Sequence, residues 1–249
     1  ARCRNIGLSL ASGDFFTFVD GDDWIEAEGI QNMVDSACVT GANIVASDFI
    51  LDKNGMTHIA EQNIDNLSNI DIIKYILTGI IHGSVCNKLY RKSFVDNFGI
   101  KFIDGADFTE DLAFNIKALI HTNKVKYSSE PYYHYCVRAE SMSRNTITLE
   151  DKIDPKILQK FRNLESVTCE LQKSGLIGQV NKELNYCKLG ARLPLLPHPN
   201  KEKCKLWRSM FPESNVSIIS YDKIGFAYKL KLMLLILRLN TLFIFLSKR

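Results

Sequence analysis

Three carboxylates crowd into four positions of this chain, Asp20-Gly21-Asp22-Asp23, directly behind the apolar run Phe15-Phe16-Thr17-Phe18-Val19 and ahead of Trp24. Carboxylate oxygens are hard ligands, and the glycine between Asp20 and Asp22 lets both face one point with little obstruction. Such a pair suits a divalent cation, Mg2+ or Mn2+, that holds a diphosphate. The aromatic and β-branched residues of 15–19 predict a buried strand. A buried strand cannot keep unpaired carboxylates in the core. The acids are therefore expected where the strand emerges, at its C-terminal end, which is the edge at which open α/β sheets take ligands. Asp23 can also serve as the N-cap of the next helix.

A second acidic pair follows much later, Glu110-Asp111 behind Thr109. A carboxylate within hydrogen-bond reach can take the proton of an attacking hydroxyl. The same triplet is also how a well-capped helix begins, with acids placed against the positive end of the macrodipole. On the residues alone both readings stay open.

The elements that must position these acids follow a mixed order. Asn5–Ala11 reads as a short helix that stops at Ser12-Gly13-Asp14, and the acidic strand comes next. Ile30, Met33, Val34 and Ala37 share one helix face, which ends near Gly41. Asn43–Leu51 is strand-like, and Lys53-Asn54-Gly55 supplies a hairpin turn before Met56–Ala60. Ser68 is a candidate N-cap for a helix through Ile72, Ile73, Tyr75 and Ile76. Leu112, Ile116, Leu119 and Ile120 define a helix over Thr109–His121, and Lys124–Ser128 returns as a strand. The order β, α, β, β, α, α, β marks an α/β class with a mixed sheet.

After about Asn145 the strand signals stop. Asp154–Gly190 reads as two helices separated near Gly175, and the run Leu193–Pro199, with three prolines, breaks the chain again. The expected division is a domain over 1–145, a helical region over 146–225 and a C-terminal segment over 226–249. That last segment contains Lys229, Lys231, Arg238, Lys248 and Arg249 but no acid, with Leu232–Leu237 and Leu242–Leu246 between them. Its apolar run is interrupted too often to span a bilayer. A basic, apolar helix pair lying in a membrane interface is expected, and a helix docked on the protein core is the other reading.

Composition excludes some functions. The 249 residues are 46% hydrophobic and 24% charged, as expected for a globular chain with a sizeable core. A net charge of +3, without a basic run interleaved with aromatics, argues against nucleic acid as a partner. The seven cysteines, at 3, 38, 86, 136, 169, 187 and 204, form no CxxC pair and no zinc spacing, so they read as reduced thiols in a cytosolic setting. No internal repeat or low-complexity tract occurs.

Two other owners of a DxD strand end fail on spacing. A haloacid-dehalogenase-like phosphatase needs Thr or Val two places after the second Asp, where Trp24 stands. A calcium loop needs alternating oxygen ligands that Asp20–Trp24 does not supply. Instead, Arg4-Asn5-Ile6-Gly7-Leu8, Ala11-Ser12-Gly13-Asp14-Phe15 and Phe18–Trp24 together resemble the family-2 glycosyltransferases of the GT-A fold. Three later segments fall in matching order. They are Asn87–Phe94, Thr109–Phe114 with its Glu-Asp pair, and Tyr132–Arg138 with Ser141-Met142-Ser143.

The resemblance implies the C-terminal part of a GT-A nucleotide-diphospho-sugar transferase domain followed by a helical appendage. It implies a metal-dependent, hexosyltransferase-type enzyme moving sugar from a nucleotide-diphosphate donor to a hydroxyl of a glycan or lipid-linked acceptor, with inversion. Asp22 and Asp20 would hold the cation, with Asp20 also near the donor ribose. Arg4 would reinforce phosphate binding, Asp111 would be the catalytic base with Glu110 beside it, and Arg138 would approach phosphate or acceptor. His134 could complete a metal site, although a His on a strand face is more often structural. The implied setting is surface-polysaccharide synthesis in bacteria, peripheral on the cytoplasmic face of the membrane. Family members carry a strand, helix and strand for the nucleotide base ahead of the Arg-Asn segment. Their absence from this sequence predicts a fragment of a longer enzyme or, alternatively, an inactive membrane-associated remnant of the fold.

Overall fold

The computed structural model describes residues 1–137 and 152–247. The chain divides into two compact units, one of Ala1–Gly105 with Thr109–Thr146, the other of Ala106–Phe108 with Ile147–Arg249.

The first unit is a mixed α/β unit. In chain order it runs α1 (Arg2–Leu10), β1 (Phe15–Phe16), β2 (Trp24–Ile25), α2 (Gly29–Thr40), β3 (Ile44–Lys53), β4 (Met56–Ala60) and α3 (Asn69–Thr78). It continues with β5 (Lys88–Arg91), α4 (Lys92–Asn97), α5 (Glu110–Ile120) and β6 (Val125–Cys136). The six strands form one sheet in the order β1-β5-β3-β6-β2, with β4 also on β3. Only the β3–β6 pair is parallel.

Strand β3 is the centre, and Ile44 to Phe49 are all buried. Strands covered on both faces become continuous apolar runs, and this one fits that rule. The polar exceptions are Ser47 and Asp48. Asp48 is buried but satisfied, since its Oδ1 accepts from the Gln62 amide at 2.7 Å and the Tyr127 hydroxyl at 2.8 Å. Asn54 and Gly55 both take positive φ, 52° and 78°, which is what a two-residue hairpin turn of matching twist requires. Helix α2 ends on Gly41 in the left-handed conformation, and Ser68 caps α3 by accepting from the Asp71 amide.

Two expectations change. The apolar run 15–19 forms a ladder only at Phe15–Phe16, antiparallel to β5, and its residues are half-buried, with Val19 exposed. Beyond Phe16 the backbone leaves the ladder, and the Thr17 side chain takes over by donating to the Lys88 carbonyl at 2.9 Å. The two segments read separately as Lys124–Ser128 and the tyrosine-rich stretch are one strand, β6. Its pairing with β3 slips between Ser47 and Phe49, where 129–132 bulge around Pro131.

The second unit is helical. It contains α6 (Pro155–Lys173), α7 (Ile177–Arg192), α8 (Lys201–Ser209), α9 (Phe226–Ile236) and α10 (Asn240–Ser247), with 3-10 turns at Leu193–Leu195 and Pro212–Ser217. Asp154 caps α6 ahead of Pro155 at its first turn. Asn163 donates to the carbonyls of Ala106 and Phe108 at 3.0 and 2.9 Å, which ties that short segment to α6. Arg192 is fully buried and stacks on Trp207, and its guanidinium donates to the carbonyls of Trp207 and Phe211 and to Ser214 and Asn215. Burial pushes its pKa down to about 10, against the opposing pull of Glu213. No disulfide joins any of the seven cysteines.

Candidate active site

Four of the residues singled out from the sequence meet around one guanidinium. Arg4 Nη2 donates to Asp20 Oδ1 at 2.8 Å, while Nη1 donates to Glu110 Oε1 at 3.1 Å and also to Asp111 Oδ1. A planar fork is suited to this division, because its two edges reach different carboxylates. The Arg4 guanidinium lies over the rings of Phe18 and Phe102, at 5.7 and 5.6 Å from their centroids. Burial works against its charge, but Asp111 and Asp20 outweigh that and push its pKa up.

Arg4 is positioned by α1, whose start is tied to the body of the unit through Asn5. The Asn5 side chain accepts from the Phe102 amide at 3.0 Å and donates to the Phe102 carbonyl at 3.0 Å. Asp111 is positioned by α5. The chain enters that helix through Thr109 at φ 62°, a conformation that β-branched residues rarely adopt. The Thr109 side chain does not cap the helix, and both acids turn to Arg4. The side-chain cap of the helix-start reading is thus missing, while the acids do stand in the first turn and reach Arg4 as well.

One turn further along α5, buried Asn115 fixes the facing loop by donating to the carbonyls of Gly83 and Ser84 at 2.9 and 3.1 Å and accepting from the Tyr90 hydroxyl at 2.7 Å. That loop returns the Val85 amide to Asp111 Oδ2 at 3.3 Å. Burial pushes the Asp111 carboxyl up, against the downward pull of Arg4. Burial, with Asp111 beside it, pushes the Glu110 carboxyl up to about 7. A raised carboxylate is a stronger proton acceptor, which is the chemistry a hydroxyl nucleophile needs.

The Asp20–Asp23 cluster splits by role. Asp23 accepts from the Cys136 amide at 2.8 Å and from the Tyr133 hydroxyl, so it serves the structure of β6. The Tyr133 hydroxyl also accepts from the Asp20 amide at 3.3 Å, which holds the turn in place. Asp22 is exposed, and Asp20 is half-exposed with one oxygen on Arg4. Among the described residues no group of three or more His, Cys, Asp and Glu side chains stands close enough to hold a metal ion. Two carboxylates fit a cation that brings most of its ligands as water and phosphate oxygens, as Mg2+ does at nucleotide sites. Asp20 and Asp22 are the residues that would hold it.

His134 is committed elsewhere. Its Nδ1 is 2.9 Å from Asp52 Oδ2 and its Nε2 is 3.0 Å from Glu26 Oε1, and its ring stacks on Trp24. Neither Asp20 nor Asp22 is among these partners, so the histidine buttresses the β2–β6 edge. Arg91 donates to the Ala42 carbonyl at 3.1 Å and stacks on Phe15, a structural post as well. Arg138 lies outside the described residues, as do Ser141, Met142 and Ser143.

Sequence reasoning missed several residues around this network. Lys88 is buried, with Nζ donating to the Ser84 carbonyl at 2.6 Å and to Asn87 Oδ1 at 2.9 Å. Burial lowers its pKa to about 8, against the pull of Asp111. Burial and the carboxylates of Asp20 and Asp111 push the Cys86 thiol up to about 12, so it is held neutral. Both lie in or beside the Asn87–Phe94 segment, which was the available signal. A cavity of about 670 Å³ opens beside Asp20 and Asp111, walled by Tyr133, His82, Phe49 and Ile80 among others. Nothing in the sequence pattern announced it.

Residues 1–99 match the family described as Glycosyl transferase family 2. The remaining comparisons extend the likeness over most of the chain. "Putative glycosyltransferase EpsH" of Bacillus subtilis is 26% identical over 229 residues, covering 89% of this chain and 64% of that protein. "Poly(ribitol-phosphate) beta-N-acetylglucosaminyltransferase TarS" of Staphylococcus aureus is 27% identical over 192 residues, covering 74% and 32%. The crystal structure of S. aureus TarS 1–349 in complex with UDP superposes with a TM-score of 0.63 at 18% identity, over 86% of this chain and 59% of that one. The UDP-GlcNAc complex gives 0.58, over 86% and 62%. The fold of the mixed-sheet unit is therefore GT-A, with a helical part after it. The chain spans less than two thirds of the length of these relatives.

Proposed function

We propose that the family-2 unit transfers a sugar from a nucleotide-diphosphate donor to a hydroxyl of a glycan or lipid-linked acceptor, with inversion, in the assembly of a bacterial surface polysaccharide. The observation that carries this reading is the Arg4 fork, which joins the acid expected at the donor diphosphate, Asp20, to the acid expected at the acceptor, Asp111. The family match and the UDP and UDP-GlcNAc complexes of TarS support a nucleotide-sugar donor.

In this reading Asp111 accepts the acceptor proton as the oxygen attacks, from the face opposite the leaving diphosphate. Arg4 pulls the Asp111 pKa down against burial and orients the carboxylate. Asp20 and Asp22 would hold a divalent cation, which would supply positive charge against the charge growing on the leaving diphosphate. Glu110, whose pKa sits near neutrality, shares the Arg4 fork and adjusts the charge around Asp111. The segment of Arg138 takes phosphate or acceptor. The exposed apolar side chains of α9 and α10, with Lys229 and Lys231 of α9 and Arg238 between the two helices, rest on the cytoplasmic face of an anionic membrane.

The test is donor turnover by the natural full-length polypeptide, with and without chelator, in wild type and Asp22→Ala. The expected result is a fall on the order of 10²-fold or more in both arms, restored in wild type by Mg2+ or Mn2+. Turnover that ignores both the chelator and Asp22→Ala would contradict the cation assignment.

A further inference from the structure

The cavity beside Asp111 has a charge pattern that selects among acceptors. Its volume of about 670 Å³ is that of a small-molecule site, a class that runs from about 300 to 1,000 Å³. Three carboxylates line it, Asp20, Glu61 and Asp111, and no lysine or arginine among the described residues does. The cations of the surrounding network are spent: Arg4 on three carboxylates, Lys88 on the Ser84 carbonyl and Asn87. His82 supplies no charge either. Its Nδ1 accepts from the Ser84 amide at 3.2 Å, which leaves the proton on Nε2, and burial with Lys88 nearby pushes its pKa down. A phosphate brought against Glu61 and Asp111, away from the side of Asp20 that faces the donor diphosphate, would meet like charges and, among the described residues, no free countercharge.

The rest of the wall is apolar. Phe49 and His82 meet edge to face with centroids 5.5 Å apart, and Leu51, Ile76 and Ile80 continue that surface, with Ile80 65% exposed at the rim. Gln62 locks the rim loop, because its Oε1 accepts from the His82 amide at 2.9 Å while its backbone N–H donates to Asp48 Oδ1. The wall is therefore preformed, and carboxylates and a fixed apolar surface both face the cavity. A pyranose is built to match, since one face presents C–H groups and the edges present hydroxyl donors.

We propose that this cavity is the acceptor site and that it takes an uncharged sugar, laid with its C–H face on Phe49, Leu51 and Ile80 and a hydroxyl toward Asp111, rather than a polyol phosphate. The proposal rests on the reading of Asp111 as proton acceptor. Glu61 accepts a hydroxyl of the same sugar, and the acid-lined space turns away acceptors whose reacting unit carries phosphate.

The test uses the full chain with labelled isoleucine methyls, titrated with methyl β-glucoside and methyl β-N-acetylglucosaminide, and separately with ribitol 5-phosphate and glycerol 3-phosphate. The neutral glycosides are expected to shift the Ile76, Ile80 and Ile81 methyls, and the phosphates to leave them in place. Ile80→Lys, a change at an exposed rim position, is expected to weaken glycoside binding several-fold and to admit the phosphates. Phosphates that shift these methyls as strongly as the glycosides, or glycosides that shift none, would overturn the proposal. So would unchanged glycoside affinity in Ile80→Lys. Donor hydrolysis measured on the natural full-length protein separates the two ideas. Glycoside binding without donor turnover contradicts the transfer reading alone, whereas donor turnover with no glycoside in the cavity contradicts the acceptor site alone.

Discussion

Arg4 is the residue on which the site turns. Its two edges are filled by Asp20, Glu110 and Asp111. Its immediate effect is on Asp111, which it pulls down against burial. Removing the charge therefore raises the Asp111 pKa further, and a base that must be ionised is lost at a higher pH. For Arg4→Gln the acid limb of the pH profile of kcat/KM is expected to move upward by about 1 unit or more. Arg4→Lys should recover part of that shift but not the bridge to Asp20, because an ammonium lacks the fork. An unmoved acid limb in Arg4→Gln would show that Asp111 is not the group being titrated. Asp111 itself should tolerate replacement by Asn sterically, so its loss reads chemistry rather than folding.

At the scale of elements, β6 does most of the positioning. Its bulge around Pro131 sends Tyr133 to Asp20 and Asp23 and brings Tyr132 under α2. Gly29 opens that helix because a Cβ there would stand 2.1 Å from Tyr132 Cβ. Gly29→Ala must push α2 off β6, with an expected loss of about 1–3 kcal/mol or more in urea unfolding. A variant as stable as wild type would mean the helix can slide without cost. Helices α2, α3 and α5 were legible in the sequence because each buries a periodic apolar face, and the Asn54-Gly55 turn and the Ser68 cap were legible because local chemistry dictates them.

Strand β5 was not legible. Lys88 and Arg91 flank two apolar residues, and only long-range pairing with β1 and β3 explains why Lys88 is inside. Helix α8 was missed for a similar reason, since KEKCKLWRS reads as polar while Cys204 and Trp207 anchor it in the core. The site shows the same division. Arg4, Asp20, Glu110 and Asp111 were recognisable one by one, but their convergence links residues 107 positions apart and is a property of the fold. Tyr133 and the acceptor cavity belong entirely to that long-range level.

At the scale of the whole molecule, two compact units carry different work. The mixed-sheet unit holds every acid proposed for the transfer. The helical unit ends in α9 and α10, which bury Leu232, Leu235 and Phe243 yet leave Phe226, Leu230, Leu237 and Phe245 exposed. No helix among the described residues is long and apolar enough to cross a membrane. Lys231 reaches the Leu246 carbonyl and Lys229 the Ile219 carbonyl, so the helix pair is partly fixed while its apolar side chains face outward. Vesicles containing anionic lipid should pellet the protein, with weaker binding as salt rises. Replacing Phe226, Leu230 and Phe245 by serine should abolish pelleting without unfolding, because all three are exposed. Equal pelleting of wild type and the triple variant would remove the membrane from the account.

The measurement that bears most directly on the central claim is nucleotide release from a panel of nucleotide sugars by the natural full-length protein, wild type against Asp111→Asn, in the presence of a neutral glycoside acceptor. The expected result is a fall in kcat on the order of 10²- to 10⁴-fold for Asp111→Asn with donor affinity retained. Equal turnover by the two proteins would contradict it.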